Sequence, residues 1–61
     1  MVKEGDKVKC IYMNDPYHPV PSGTIGTVTS IDDMGQIHVS WETGSGLALN
    51  PDVDKFEIME E

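Results

Sequence analysis

The sequence has one cysteine, no arginine and no apolar run long enough to cross a bilayer. Each shortage excludes something. A lone Cys10 cannot close an internal disulfide, so the chain is not one of the small disulfide-stapled secreted scaffolds. Spanning a membrane as a helix takes about 20 predominantly apolar residues, and Gly, Pro or charge interrupts this chain far sooner. Four lysines stand against eleven acidic residues, a formal charge of −7, which argues against a nucleic-acid polymer or an anionic membrane as partner. The opening Met1-Val2-Lys3-Glu4-Gly5-Asp6 lacks the apolar stretch of a signal peptide, and a reduced thiol is the simplest reading of Cys10, so the expected setting is cytoplasmic. Sixty-one residues allow a single domain, 1–61. In a chain this short, apolar burial and the entropy of ordering nearly cancel, so association or a bound ligand is expected to matter to stability.

What remains is β-rich. Helical spacing is nowhere sustained, and short runs of alternating or β-branched residues lie between turn signals. Residues 7–13 alternate, with Val8, Cys10 and Tyr12 on one face and Lys7, Lys9 and Ile11 on the other. The next stretch, Asn14-Asp15-Pro16-Tyr17-His18-Pro19-Val20-Pro21-Ser22-Gly23, carries three prolines and reads as a stiff, extended loop. A second strand is expected over 24–31, with Gly26 marking a bulge or bend. Asp32-Asp33-Met34-Gly35 is a turn, because aspartates bond back to nearby amides and glycine takes the left-handed position. A third strand covers 36–41, with Ile37, Val39 and Trp41 opposite Gln36, His38 and Ser40. A short fourth covers 45–49, a 3₁₀ turn follows over 50–54, and Phe56 and Ile58 belong to a fifth. The expected fold is all-β: a small five-stranded SH3-like barrel with a Pro-rich loop after the first strand. Val8, Cys10, Val28, Ile37, Val39, Leu47, Phe56 and Ile58 should face inward.

The segments Gly23-Thr24-Ile25-Gly26-Thr27-Val28 and Asp32-Asp33-Met34-Gly35-Gln36-Ile37-His38-Val39-Ser40-Trp41 carry a resemblance. Together with Met13-Asn14-Asp15-Pro16-Tyr17 and Gly44-Ser45-Gly46-Leu47-Ala48-Leu49, they resemble the domain-of-unknown-function family numbered 4314, over about residues 5–58. The resemblance implies a small protein of phages or mobile elements of Gram-positive bacteria, with no biochemical activity attached. A more distant likeness, on Gly26-Thr27-Val28 and Val39-Ser40-Trp41-Glu42-Thr43-Gly44, is to the mind-bomb type domains of ubiquitin ligases, which bind protein segments.

Catalytic groups are sparse. Cys10 shares its parity with core positions, where a thiol is inert, and no serine sits in a Gly-x-Ser-x-Gly elbow, so no enzyme is expected. Asp15 with His18, or Asp32 and Asp33 with His38, lack the ligand spacing of zinc or calcium sites, so no metal is expected. No Gly-rich phosphate loop precedes a helix, and no cofactor is expected. The Pro-rich loop is the most informative feature. Tyr17 and His18 lie between Pro16 and Pro19, and the expected binding surface runs from Asp15, Pro16, Tyr17 and His18 across to Trp41. An equally weighted alternative makes Tyr17, Val20 and Trp41 a lid on a small core. Two functions follow from different classes. One is a non-catalytic binding module for a protein partner or for self-association. The other is an oligomeric protein that sequesters a small ligand, a signalling nucleotide, to counter host defence; Lys7 and Lys9 or backbone amides would then have to converge on phosphate.

Overall fold

Alternating and β-branched runs become strand here, between turns marked by glycine and proline. The computed structural model describes residues 2–15, 17 and 19–59. Among the described residues, four strands form: β1 (Lys7–Tyr12), β2 (Ile25–Ile31), β3 (Ile37–Trp41) and β4 (Lys55–Met59). Every neighbouring pair is antiparallel and the order is β3-β2-β1-β4. β3 and β4 stand at opposite ends, so the sheet is open. No described residue is helical, and no helix is long and apolar enough to cross a membrane.

Two tight connections use the same device. Asp32 donates its amide to the Gln36 carbonyl (3.0 Å), and Gly35 donates to Asp32 (3.1 Å). Nine residues on, Trp41 donates to Ser45 (3.1 Å) and Gly44 to Trp41 (2.9 Å). Each turn ends on a glycine, Gly35 at φ 84° and Gly44 at φ 89°, in the left-handed region that side chains disfavour. The first turn is reinforced as its sequence implies, since Asp32 Oδ1 accepts from the amides of Met34 and Gln36, both at 2.9 Å.

The sheet departs from the expected barrel in four places. The fourth expected strand is reduced to one bridge, Ile37 to Leu49. Leu47, which would continue that ladder, has its groups engaged elsewhere: its carbonyl accepts from the Trp41 indole (2.9 Å) and its amide donates to Ser45 Oγ (3.3 Å). The inward parity of β1 ends at Cys10, because a bulge separates the pairs Cys10–Phe56 and Tyr12–Lys55. Tyr12 is thereby exposed and Met13 buried. In β2 the bulge falls at Thr29, between Val28–Val39 and Ser30–His38, and not at Gly26. Ile58 has the inward parity of its partner Val8 but lies on the open edge, 42% exposed.

The core contains Val8, Cys10, Val28, Ile37 and Val39 as expected, with Met13, Val20, Trp41 and Leu49 added. Leu47 and Phe56 pack against it, half-buried. Gly26 makes room for the largest of these side chains. A Cβ there would meet Trp41 Cε3 at 2.7 Å and press on Val39 Cγ1. Those atoms belong to buried side chains and to a cross-strand partner, so neither can easily retreat. Gly26→Ala should therefore lower unfolding free energy by about 1–3 kcal/mol, as overpacking does. Gly46→Ala, with nothing within 4 Å of the added carbon, should stay within about 0.5 kcal/mol of wild type in the same urea titration.

Candidate functional site: the β1–β2 loop

Residues 13–24 join β1 to β2, and none of the described residues among them is in a strand. Prolines on both sides hold Val20 extended, and a segment with so few backbone donors can lie on a core without a ladder. Val20 inserts its side chain into the core, beside Met13 from the other limb of the loop. Both backbone groups of Val20 find sulfur partners: its amide donates to Met13 Sδ (3.4 Å) and its carbonyl accepts from Cys10 Sγ (3.5 Å). These are weak bonds, yet they leave no buried polar group of Val20 without a partner.

A stronger tie comes from the other end of the chain. Asp54 is 6% exposed. Its Oδ1 accepts from the Asn14 amide (2.7 Å) and its Oδ2 from the Asn50 amide (2.8 Å). One carboxylate thus joins the outgoing limb of the loop to the turn over residues 50–54. That turn closes on the Asn50 carbonyl, which accepts from Val53 (3.1 Å) and Asp54 (2.8 Å). On the return limb, Gly23 donates to the Cys10 carbonyl (2.7 Å) and Cys10 to Thr24 (2.8 Å), extending the β1–β2 ladder.

Between these anchors the chain turns outward. Asp15 Oδ1 accepts from the Tyr17 amide (2.8 Å), an aspartate turn that sets the backbone at the tip. Tyr17 is 83% exposed. Pro16 and His18 lie outside the described residues. Trp41 is 3% exposed, in the core, and its ring presents no face to solvent. The expected surface from the loop across to Trp41 therefore divides into an exposed Tyr17 and a buried Trp41, because Gly26 admits the indole to the sheet interior. Tyr12 takes the exposed aromatic position at the base of the loop, with its hydroxyl 3.5 Å from Asn14 Oδ1. Sequence alternation alone assigns Tyr12 inward, and only the bulge reverses it.

Away from the loop, the β2–β3 hairpin carries a His–Asp pair. His38 Nε2 donates to Asp32 Oδ2 at 3.0 Å, with both side chains partly exposed. Cys10 is buried; loss of solvent, and then the charge of Asp54, push its thiol above the usual range and away from the reactive thiolate. Among the described residues, no three His, Cys, Asp or Glu side chains gather as metal ligands.

Residues 2–59 match the family described as a domain of unknown function (DUF4314). The chain belongs to that family. No curated protein and no solved structure is significantly similar to it.

In this DUF4314 chain the Asp32–His38 pair has a testable pH signature. The His38 hydrogen bond, then the Gln36 and Met34 amides, hold the Asp32 carboxyl below its ordinary value of 3.8. A carboxylate with a lowered folded-state value stabilises the fold fully above its unfolded value, and this contribution disappears as pH falls through the folded one. Melting temperatures of wild type and Asp32→Asn should differ above about pH 5 and converge as the pH falls well below about 4. A gap that widens on acidification would contradict the assignment.

Proposed function

We propose that this protein is a non-catalytic binding module, encoded by a phage or mobile element, that engages a protein partner through the β1–β2 loop. The observation that carries the reading is Tyr17, which stands exposed at the tip of a loop anchored at both limbs. An aromatic ring held out from a pre-ordered backbone gives up little entropy on binding, which is the economy of an interface anchor. Tyr12 ends β1 at the base of the loop, Asp15 precedes Tyr17 on the loop, Pro16 and His18 adjoin it in sequence, and Trp41 buttresses the sheet below. The charge of −7 favours a partner segment that is basic, through steering and complementary potential.

The fold we assign to this module is a small SH3-like barrel. Its support is the meander β1-β2-β3, the Leu49 bridge on the far side of β3, and the return of β4 to β1. In barrels of this kind, grooves beside the loop after the first strand accept extended peptides.

Tagged wild type and Tyr17→Ala, incubated with lysate of the host cell, should differ in one captured protein identified by mass spectrometry. Titration of that purified partner should show about 10- to 100-fold weaker binding by Tyr17→Ala, the range of an interface anchor. Its melting temperature should match wild type. Equal affinity with a lowered melting temperature would make the loop a lid on the core. A raised melting temperature with signalling nucleotides, independent of Tyr17, would favour small-ligand sequestration.

A further inference from the structure

β4 ends the sheet and, among the described residues, pairs only with β1. The direction of its free backbone groups follows from the ladder. Cys10 donates to Thr24, and Val28 donates to the Asp6 carbonyl, each at 2.8 Å, so the even-numbered residues of β1 aim their backbone groups at β2. The odd-numbered residues of β1 face β4, opposite Glu57 and Met59. By the alternation of an antiparallel ladder, Phe56 and Ile58 turn their N–H and C=O groups to the open edge. An edge of this kind is a template for another strand.

The side chains along it are complementary to themselves. A symmetric antiparallel pairing can centre on any of several residues. Centring on Glu57 sets two carboxylates face to face, and centring on Lys55 sets two ammonium groups face to face; like charges directly opposite are destabilising. Centring on Ile58 sets Glu57 against the partner's Met59. Centring on Phe56 sets unlike charges face to face, Lys55 against Glu57 of the partner subunit, and the paired segment stops at Lys55, because the Asp54 amide is committed to the Asn50 carbonyl and Val53 belongs to the turn. Ile58 and Met59 of this edge strand are 42% and 41% exposed, apolar surface that the single chain leaves in water. Within one chain Lys9 already stands opposite Glu57. The joined sheet would then read Lys9, Glu57 and the partner's Lys55 in one row of alternating charge.

We propose that the β4 edge is the surface on which two copies of this chain pair, antiparallel and centred on Phe56, into a continuous sheet. Such an interface is isologous, and its self-complementarity follows from the two-fold axis. Two chains of charge −7 repel at long range, but that field is screened within about 8 Å at physiological salt, whereas Lys55 and Glu57 of the partner subunit are in contact. The inference goes beyond the binding reading, since it uses a different strand from Tyr17 and either can fail alone.

Sedimentation equilibrium at physiological ionic strength, from micromolar to millimolar protein, should show a wild-type dimer. Lys55→Glu and Glu57→Lys should each weaken association about tenfold or more, because both symmetric contacts become like-charged. An equimolar mixture of the two should regain it, since each contact then joins opposite charges. Circular dichroism of each variant verifies that the sheet is intact. Ile58→Pro gives an independent variant: its amide faces outward, so the ring removes an intermolecular donor and spares the β1 ladder. It should be monomeric. A wild type that stays monomeric overturns the proposal and leaves the edge to a strand of another protein. A dimer indifferent to all three substitutions, or a mixture no better associated than its components, overturns it as well.

Discussion

The carboxylate of Asp54 holds together parts of the chain that the sheet alone does not. It is buried, and each of its oxygens takes one backbone amide, from Asn14 and from Asn50. A buried charge without partners is costly, whereas one satisfied by two amide donors at 2.7 and 2.8 Å makes hydrogen bonds of the stronger, charge-assisted kind. The bond to Asn14 closes forty residues of sequence, so it joins the end of β1 to the start of β4. With that limb fixed, Met13 and Val20 can meet in the core and the loop tip can project. Without it, the return limb would keep its backbone bonds to Cys10, but the outgoing limb would be held mainly by the Met13 side chain and its weak sulfur contact with Val20.

The rest of the interior is arranged around one exchange of volume. Gly26 gives up a side chain, and Trp41 on the paired strand fills the space. The indole N–H then needs an acceptor, and the Leu47 carbonyl supplies it. That engagement keeps Leu47 out of a ladder with β3, so segment 45–49 touches the sheet at Leu49 and not along its length. The reduction of the expected fourth strand, 45–49, to one bridge and the burial of a tryptophan are consequences of the same packing choice.

Much of this was legible in the residues, and the failures have specific causes. β2, β3 and β4 follow from β-branched and alternating runs, and the Asp32-Asp33-Met34-Gly35 turn follows from its own chemistry. Tyr12 was misassigned because parity carries no sign of a bulge, and the bulge depends on how β4 pairs with β1. Gly26 reads as a bulge or bend while the bulge falls at Thr29, because a glycine that bends a strand and one that admits a neighbouring ring look alike in sequence. Trp41 follows the inward alternation of β3, and only its 3% exposure separates a core ring from a binding surface. Asp54 left no signal at all. An acid in an Asn-Pro-Asp-Val-Asp turn reads as solvated, and its partners are amides, which every residue but proline possesses.

If Asp54 is what makes the loop a rigid platform for Tyr17, the amides it binds must be protected together with the sheet. Native-state hydrogen exchange followed by NMR measures this directly. In wild type, the amides of Asn14 and Asn50 should exchange as slowly as those of Cys10 and Val28 in the β1–β2 ladder. In Asp54→Asn, which keeps one acceptor oxygen and replaces the other by a donor, the amide that loses its acceptor should exchange faster than the ladder while the ladder persists. Exchange of Asn14 and Asn50 in wild type at the rate of freely exposed amides would contradict the account.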